Sequence, residues 1–454
     1  VNSTSLGVSP SYEILIFLSG NICHQPRNTT GKELNVYYSF NKSILEDPHS
    51  GTLASFQNGY MEALAIRPLQ DTGNSTRYSN LYLVIEATDT SESNEEQTDL
   101  SDEYWSYKIS VSQNDLVFQW DLRPWLEIVD TDYNSALLVT GNVSTNSKTS
   151  SNYSIYDTSL YDIYVYSYDY FDYFDHELSH SLCAIKNGPY LVSSVENTTQ
   201  VVGNSSLEIQ KSITIRGGSV KEQFYITGLN SSTTYVTYLT KKVSKSSNST
   251  ADTGGVLFSK TTFTTMENDS CSLIFDMDFC DGVAYSVPTS GLVDRANKTL
   301  IAQMYDDIAS SLYANFSKAL QIIPCDTESD AAYSPLRTCG DCAAAYKNWL
   351  CAVSIPRCTT ARTDYYIFRS KSDNRNDYLN SQVKPISNYY EILPCIDMCY
   401  SMVRDCPADF GFSCPNQKGS NLLYLSYNTY DDDLGFDTCN YVGNSNDLSI
   451  LDDD

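Results

Sequence analysis

Ile392-Leu393-Pro394-Cys395-Ile396-Asp397-Met398-Cys399-Tyr400-Ser401-Met402-Val403-Arg404-Asp405-Cys406 is the stretch on which the fold turns. Counted from Ile392, residues Cys395, Cys399, Met402 and Cys406 fall at +3, +7, +10 and +14, one face of a helix. The spacing predicts a helix from about Tyr389 to Asp405, with Pro394 in its first turn, where proline is tolerated. Side chains four apart on a helix stand about 6 Å apart at Cβ, whereas a disulfide needs roughly 3.5–4.5 Å. Cys395 and Cys399 are therefore expected to bond outward to different segments and staple this helix to its neighbours.

The rest of residues 268–454 has the same character. Of the 14 cysteines, 12 lie between Cys271 and Cys439, and in a secreted chain such a cluster is a disulfide framework. Leu300, Met304, Ile308, Leu312, Phe316 and Leu320 recur every four residues as one face of an amphipathic helix. A further helix is expected from Asp341 to Val353. Residues 268–454 thus read as a cysteine-rich, mainly α-helical domain with a rigid, cross-linked core.

Upstream the pattern is β. In residues 1–113 the short apolar runs Ile14–Leu18, Val36–Phe40, Leu81–Glu86 and Trp105–Val111 are separated by polar, turn-rich stretches, and 88–103 reads as a solvated acidic loop. A β-sandwich is the default architecture for such a segment. In residues 114–267, Gly228-Leu229-Asn230-Ser231-Ser232-Thr233-Thr234-Tyr235, followed by Val236 and Tyr238, resembles the tyrosine corner of fibronectin type III domains; an ordinary hairpin carrying a tyrosine is the alternative. Trp125 to Val129 and Ser135 to Val139 suit early strands, and Leu257–Thr265 the last. The chain is accordingly expected to hold two all-β sandwich domains, 1–113 and a fibronectin III/Ig-like 114–267, before the cysteine-rich one.

Composition narrows the partners. Lys+Arg 29 against Asp+Glu 56 gives a net charge of −27, which argues against nucleic acid as a partner, since phosphate binding needs a basic face. No window approaches the roughly 20 apolar residues that a membrane-spanning helix needs. The chain begins at Val1 without a signal-like segment, so it reads as a mature or trimmed fragment. Sequons stand at Asn2, Asn28, Asn41, Asn74, Asn142, Asn152, Asn197, Asn204, Asn230, Asn248, Asn268, Asn297 and Asn315. They take 13 of the 22 asparagines up to Asn315 and none of the 11 after it. An extracytoplasmic glycoprotein is expected, with its sugar-free surface in the last third.

Three motifs carry possible chemistry. His176-Glu177-Leu178-Ser179-His180 matches the zinc-peptidase H-E-x-x-H. However, Tyr161–Phe174 before it alternates like a strand, and Asn187-Gly188-Pro189 interrupts any helix leading to Glu196, so an acidic, exposed loop is expected. Asp130-Thr131-Asp132-Tyr133-Asn134 starts like a calcium loop. An EF-hand needs Gly sixth and Glu twelfth, where Ser135 and Gly141 stand, so a turn flanking a strand is the better reading. Cys339-Gly340-Asp341-Cys342 is a C-x-x-C that reads as structural disulfide among so many cysteines. The aspartates at 431–433 and 452–454 read as solvated surface. Catalytic residues, metal ligands, cofactor and small-molecule substrate are all expected to be absent.

Trp349-Leu350-Cys351 through Pro356-Arg357-Cys358, with Pro394-Cys395-Ile396-Asp397-Met398-Cys399 and Cys406-Pro407, resembles the frizzled-type cysteine-rich domain. A broader resemblance spans almost the whole chain. Ser11 to Leu15, Ser19 to Cys23, Asn114 to Trp125, and the Cys339–Cys358 and Tyr389–Pro415 blocks are similar to the fungal stretch-activated calcium-channel component family. That resemblance implies an auxiliary extracellular subunit, without enzymatic activity, of a plasma-membrane calcium channel. It would dock on a large four-repeat pore-forming subunit and support calcium influx in mating-pheromone and stress responses, with the endoplasmic reticulum as a further location. The frizzled pattern implies the pairs Cys271–Cys358, Cys280–Cys351, Cys342–Cys406, Cys395–Cys439 and Cys399–Cys414. Cys325 is then left for Cys339, and Cys23 for Cys183. The alternative is a free ligand-binding or adhesion glycoprotein that holds a lipid or protein ligand in the frizzled-like domain.

Overall fold

A computed structural model describes residues 15–26, 32–67, 80–89, 104–143, 158–170, 174–195, 207–216, 218–242, 254–324, 333–415, 422–431 and 433–443. The chain forms two compact units, Val1–Leu126 with Asp157–Ser205 and Tyr235–Thr262, and Glu127–Tyr156 with Ser206–Thr234 and Phe263–Asp454.

In the first unit, β1 (Leu15–His24), β2 (Lys32–Ser39), β3 (Thr52–Ser55), β4 (Tyr60–Ile66), β5 (Tyr82–Asp89) and β6 (Ser106–Ser112) make two three-stranded sheets, β4-β1-β6 and β3-β2-β5. Alternation sets the register: Leu18 pairs with Ala63 and Val111, and Val36 with Ala54 and Ile85. Leu18, Val36, Ala54, Met61 and Ala65 bury together as the core of these sheets.

Strand β7 (Phe118–Asp121) follows. The next two, β8 (Leu126–Thr131) and β9 (Ser135–Thr140), lead into the second unit. Back in the first unit, β10 (Tyr161–Ser167), helix α1 (Leu182–Asn187) and β11 (Val192–Ser193) precede β12 (Glu208–Arg216) and β13 (Ser219–Thr227) of the second unit. The chain then makes β14 (Thr234–Lys241) and β15 (Gly255–Phe258), and the sheet order is β11-β10-β14-β15-β7, the last pair parallel. Gly254 at φ +82° makes that parallel approach possible, because a Cβ there would run into the Val117 carbonyl. Tyrosines supply much of this core: Tyr166 packs edge-on against Phe174, Tyr190 and Tyr238, all buried.

The second unit carries the sheet β12-β13-β9-β8. After β16 (Thr261–Thr264) come the hairpin β17 (Cys271–Ile274) and β18 (Tyr285–Pro288), then α2 (Lys298–Leu320) and α3 (Cys339–Ser354). A small sheet β19-β21-β20 follows from β19 (Arg357–Thr359), β20 (Ile367–Arg369) and β21 (Tyr389–Ile392), and after it come α4 (Ile396–Asp405) and α5 (Leu422–Ser426). One core joins helix and strand: Val283, Tyr285 and Val287 bury with Ile301, Tyr305, Ala309, Cys351 and Met398.

The expectation of a mainly α-helical domain over 268–454 is overturned. Among its described residues the α-helices run 23, 16, 10 and 5 residues beside five strands, so strand and irregular chain outweigh helix there. Proline gives one local reason. The residue before a proline is pushed out of the α region, so Tyr389–Ile392 pairs as a strand, and the helix starts only after the Leu393-Pro394 step, with Cys395 as its N-cap. The stripe expected along α2 is only partly kept: Phe316 is buried and Met304 and Leu320 pack against core residues. Ile301, Tyr305 and Ala309 are buried, while Leu300 and Leu312 are 41% and 45% exposed.

Candidate functional site

The framework is built from disulfides. In the second unit Cys271 bonds Cys358, Cys280 bonds Cys351, Cys342 bonds Cys406, Cys395 bonds Cys439, and Cys399 bonds Cys414. In the first, Cys23 bonds Cys183. Cys339 is also disulfide-bonded, and Cys325 lies outside the described residues. Each partner of α4 comes from a different segment, which holds this ten-residue helix at both ends and in the middle.

A buried polar hub fixes the β8–β9 turn. Asp132 is 0% exposed. Its Oδ1 accepts the Asn134 and Ser135 N–H groups (3.0 and 2.8 Å) and the Ser135 hydroxyl (2.9 Å). Its Oδ2 accepts the Leu273 N–H at 2.9 Å and the Lys298 ammonium. That ammonium also donates to Ser135 Oγ and Asn134 Oδ1, so both charges are satisfied. Beside it, Asp130 accepts from Ser286 N–H at 3.0 Å and pairs with Arg357, which also reaches Asp437 at 2.7 Å. Burial pushes the Asp130 carboxyl above the usual range against the pull of Arg357. Burial also works against the Arg357 charge, but Asp130 and Asp437 outweigh it and raise its pKa. The calcium-like start at 130–134 is therefore a turn whose carboxylate oxygens are taken up by the protein's own donors. Its spacing shows this turn, but no pattern could link residue 132 to residue 298.

Helix α3 starts on a capping box. The Thr338 hydroxyl accepts the Asp341 N–H at 3.2 Å, and the Asp341 carboxylate accepts the Thr338 N–H at 2.8 Å. These bonds hold the Asp341 pKa below the usual carboxylate range. Because the folded value is lowered, the cap contributes stability above about pH 4 and loses it as pH falls through the folded value. Amide-exchange protection at Asp341 and Cys342 is expected to fall on acidification from pH 5 to pH 2, and Asp341→Asn to abolish that dependence.

The H-E-x-x-H segment is not the exposed loop expected from sequence. Phe174–Leu178 is a single π-turn with Phe174 and Leu178 buried. Glu177 accepts from the Gln25 side-chain amide, and the His180 ring stacks on Trp120 at 3.6 Å between centroids. The His176 side chain and Glu196 lie outside what is described. Among the described residues no group of three His, Cys, Asp or Glu is arranged to hold a metal.

A cleft of about 1240 Å³ lies in the second unit between the β12–β13 side and the start of α2. Asp276, Asp278, Asp294, Asp306 and Asp307 line it. Leu273, Ile274, Phe275, Met277 and Phe279 line it as well, so its wall is mixed rather than purely acidic.

Surface chemistry divides the chain. Every described sequon asparagine, Asn41, Asn142, Asn230, Asn268, Asn297 and Asn315, is exposed, as glycosylation requires. Asn2, Asn28, Asn74, Asn152, Asn197, Asn204 and Asn248, with most of 88–103 and all of 452–454, lie outside the described residues. In the sequon-free stretch, α5 turns Leu422, Tyr424 and Leu425 outward at 61%, 67% and 61% exposure. Its Leu423 packs inward with Cys399 and Met402 of α4. Tyr427 accepts the Trp349 indole N–H at 2.8 Å, and Asn428 backbone-bonds Pro394 and Ile396, so α5 is pinned to the stapled helix. On α4 itself Tyr400 and Val403, three apart, also face solvent. This outward apolar group was missed in sequence; the run Leu422-Leu423-Tyr424-Leu425 was its only signal. No helix among the described residues is long and apolar enough to cross a membrane.

A sequence profile of the family described as stretch-activated Ca2+-permeable channel component matches residues 15–445. The chain is similar to the stretch-activated cation channel MID1 of Saccharomyces cerevisiae, 55% identical over 464 residues covering 99% of this chain and 84% of that protein. It is also similar to the stretch-activated cation channel yam8 of Schizosaccharomyces pombe, 36% identical over 345 residues, 74% of this chain and 64% of that protein. Both relatives are named as channels, neither as an enzyme.

Proposed function

Because the chain belongs to the family of stretch-activated Ca2+-permeable channel components, we propose that it is a non-enzymatic auxiliary subunit on the extracellular side of the plasma membrane. It docks on a four-repeat, pore-forming calcium-channel subunit and supports calcium influx in mating-pheromone and stress responses. The observation that carries the docking reading is the coincidence of exposed apolar side chains on α4 and α5 with a stretch that has no sequon after Asn315. Aromatic and aliphatic anchors on a rigid support are what an interface core needs, and glycans there would block it. The glycosylated part of the chain is left to face away from the partner.

The test uses the full chain, since β8, β9, β12 and β13 belong to the same compact unit as the cysteine-rich segment. Tyr424→Ser combined with Leu425→Ser is expected to leave secretion intact and to weaken co-purification with the pore subunit. The loss of about 2 kcal/mol expected of an interface anchor corresponds to roughly 30-fold. Undiminished co-purification by a variant that also carries Tyr400→Ser and Leu422→Ser would remove this face from the interface.

A further inference from the structure

Helix α2 leaves a second apolar surface in solvent, and the chain carries the means to cover it. Leu300 and Leu312 are 41% and 45% exposed, and Met304 and Ile308 between them are half-buried. Asn297 and Asn315 are 18 residues apart, five full turns at 3.6 residues per turn, so they lie in line and about 27 Å apart. On the same helical geometry Met304 and Ile308 fall within about 20° of that line, and Leu300 and Leu312 within about 60°. The two sequons therefore bracket the stripe lengthwise and sit astride it.

We infer that N-linked glycans on Asn297 and Asn315 lie along α2 and cover the Leu300–Leu312 stripe, making this helix face a sugar-shielded surface rather than a protein-docking one. In the transfer, an oligosaccharide leaves a lipid pyrophosphate donor. Its C1–O bond to phosphate breaks, a C1–Nδ2 bond to asparagine forms, and Nδ2 gives up one proton. At Asn297 this is compatible with the fold, since the helix cap uses Oδ1, which accepts the Leu300 N–H at 3.0 Å, and leaves Nδ2 for the sugar. Each glycan has roughly half of the 27 Å to cover. Asn297 also lines the acidic cleft, so its sugar narrows the mouth of that cleft as well.

The inference uses only the secretory placement proposed above, not the docking partner. Thr299→Ala and Ser317→Ala remove the sequons without touching the asparagines or the cap. In the full chain from a secretory host, glycopeptide mass spectrometry is expected to find both sites occupied, and each variant to lose one glycan. The double variant is expected to bind more of an apolar dye, and adding Leu300→Ser and Leu312→Ser to return binding to the parental level. Enzymatic deglycosylation of the already folded protein is expected to give the same rise, which keeps the result independent of folding defects. Vacant Asn297 or Asn315 in a chain glycosylated elsewhere, or unchanged dye binding after deglycosylation, overturns the shield alone. A chain with no glycan at any sequon overturns the secretory placement.

Discussion

Asp132→Ala is expected to destabilise the second unit by about 3–5 kcal/mol, the cost of breaking a buried ion pair from one side. The substitution leaves the largely buried Lys298 side chain without its carboxylate. It also strands the buried N–H groups of Ser135 and Leu273, each costing about 1–3 kcal/mol when water cannot replace the partner, and frees the half-buried N–H of Asn134. Asp132→Asn retains an oxygen and should cost less, and pairing Asp132→Ala with Lys298→Met should recover part of the loss by removing the orphaned charge. Denaturant titration of the full chain, read by amide exchange in β9 and β17, measures all three. A cost under about 1 kcal/mol for Asp132→Ala would mean that water reaches the hub and that its 0% exposure has little energetic meaning.

Removing the Cys280–Cys351 bond is expected to cost about 4 kcal/mol, from the chain entropy of the loop it closes across a sequence separation of 71. Both sulfurs sit in the core with Val283, Tyr285 and Ile301, so a Cys280→Ala, Cys351→Ala pair also leaves a void there. The combined loss approaches the whole stability of an ordinary domain. The variant is therefore expected to be retained and degraded rather than secreted, with secreted yield as the readout. Normal secretion with unchanged resistance to unfolding would show that the helix–strand core holds without its staples.

Local patterns made much of this fold legible. The four runs read as strands in 1–113 lie in or overlap β1, β2, β5 and β6, because a period of two with turn residues between is a strong local signal. The face of α4 was legible from its +3, +7, +10, +14 spacing: Cys395, Cys399, Met402 and Cys406 are all buried. What failed was the extension of helical spacing beyond what the backbone allows. Pro394 converted the expected first turn into β21, and Leu300 and Leu312 of the period-four stripe of α2 turned to solvent while Ile301, Tyr305 and Ala309 entered the core with Phe316. The candidate site was less legible still. The α5 anchors depend on Leu423 and Tyr427 finding α4 and Trp349, and the Asp132–Lys298 pair spans 166 residues; neither leaves a pattern at short range.

The account is tested most directly by isolating the full chain from fungal membranes in mild detergent, cross-linking it, and identifying the linked peptides by mass. The prediction is a stoichiometric four-repeat pore subunit, with cross-links concentrated on Lys347, Lys371 and Lys384, lysines of the sequon-free stretch after Asn315. Recovery of the chain alone, or cross-links confined to lysines before Asn297, would contradict it.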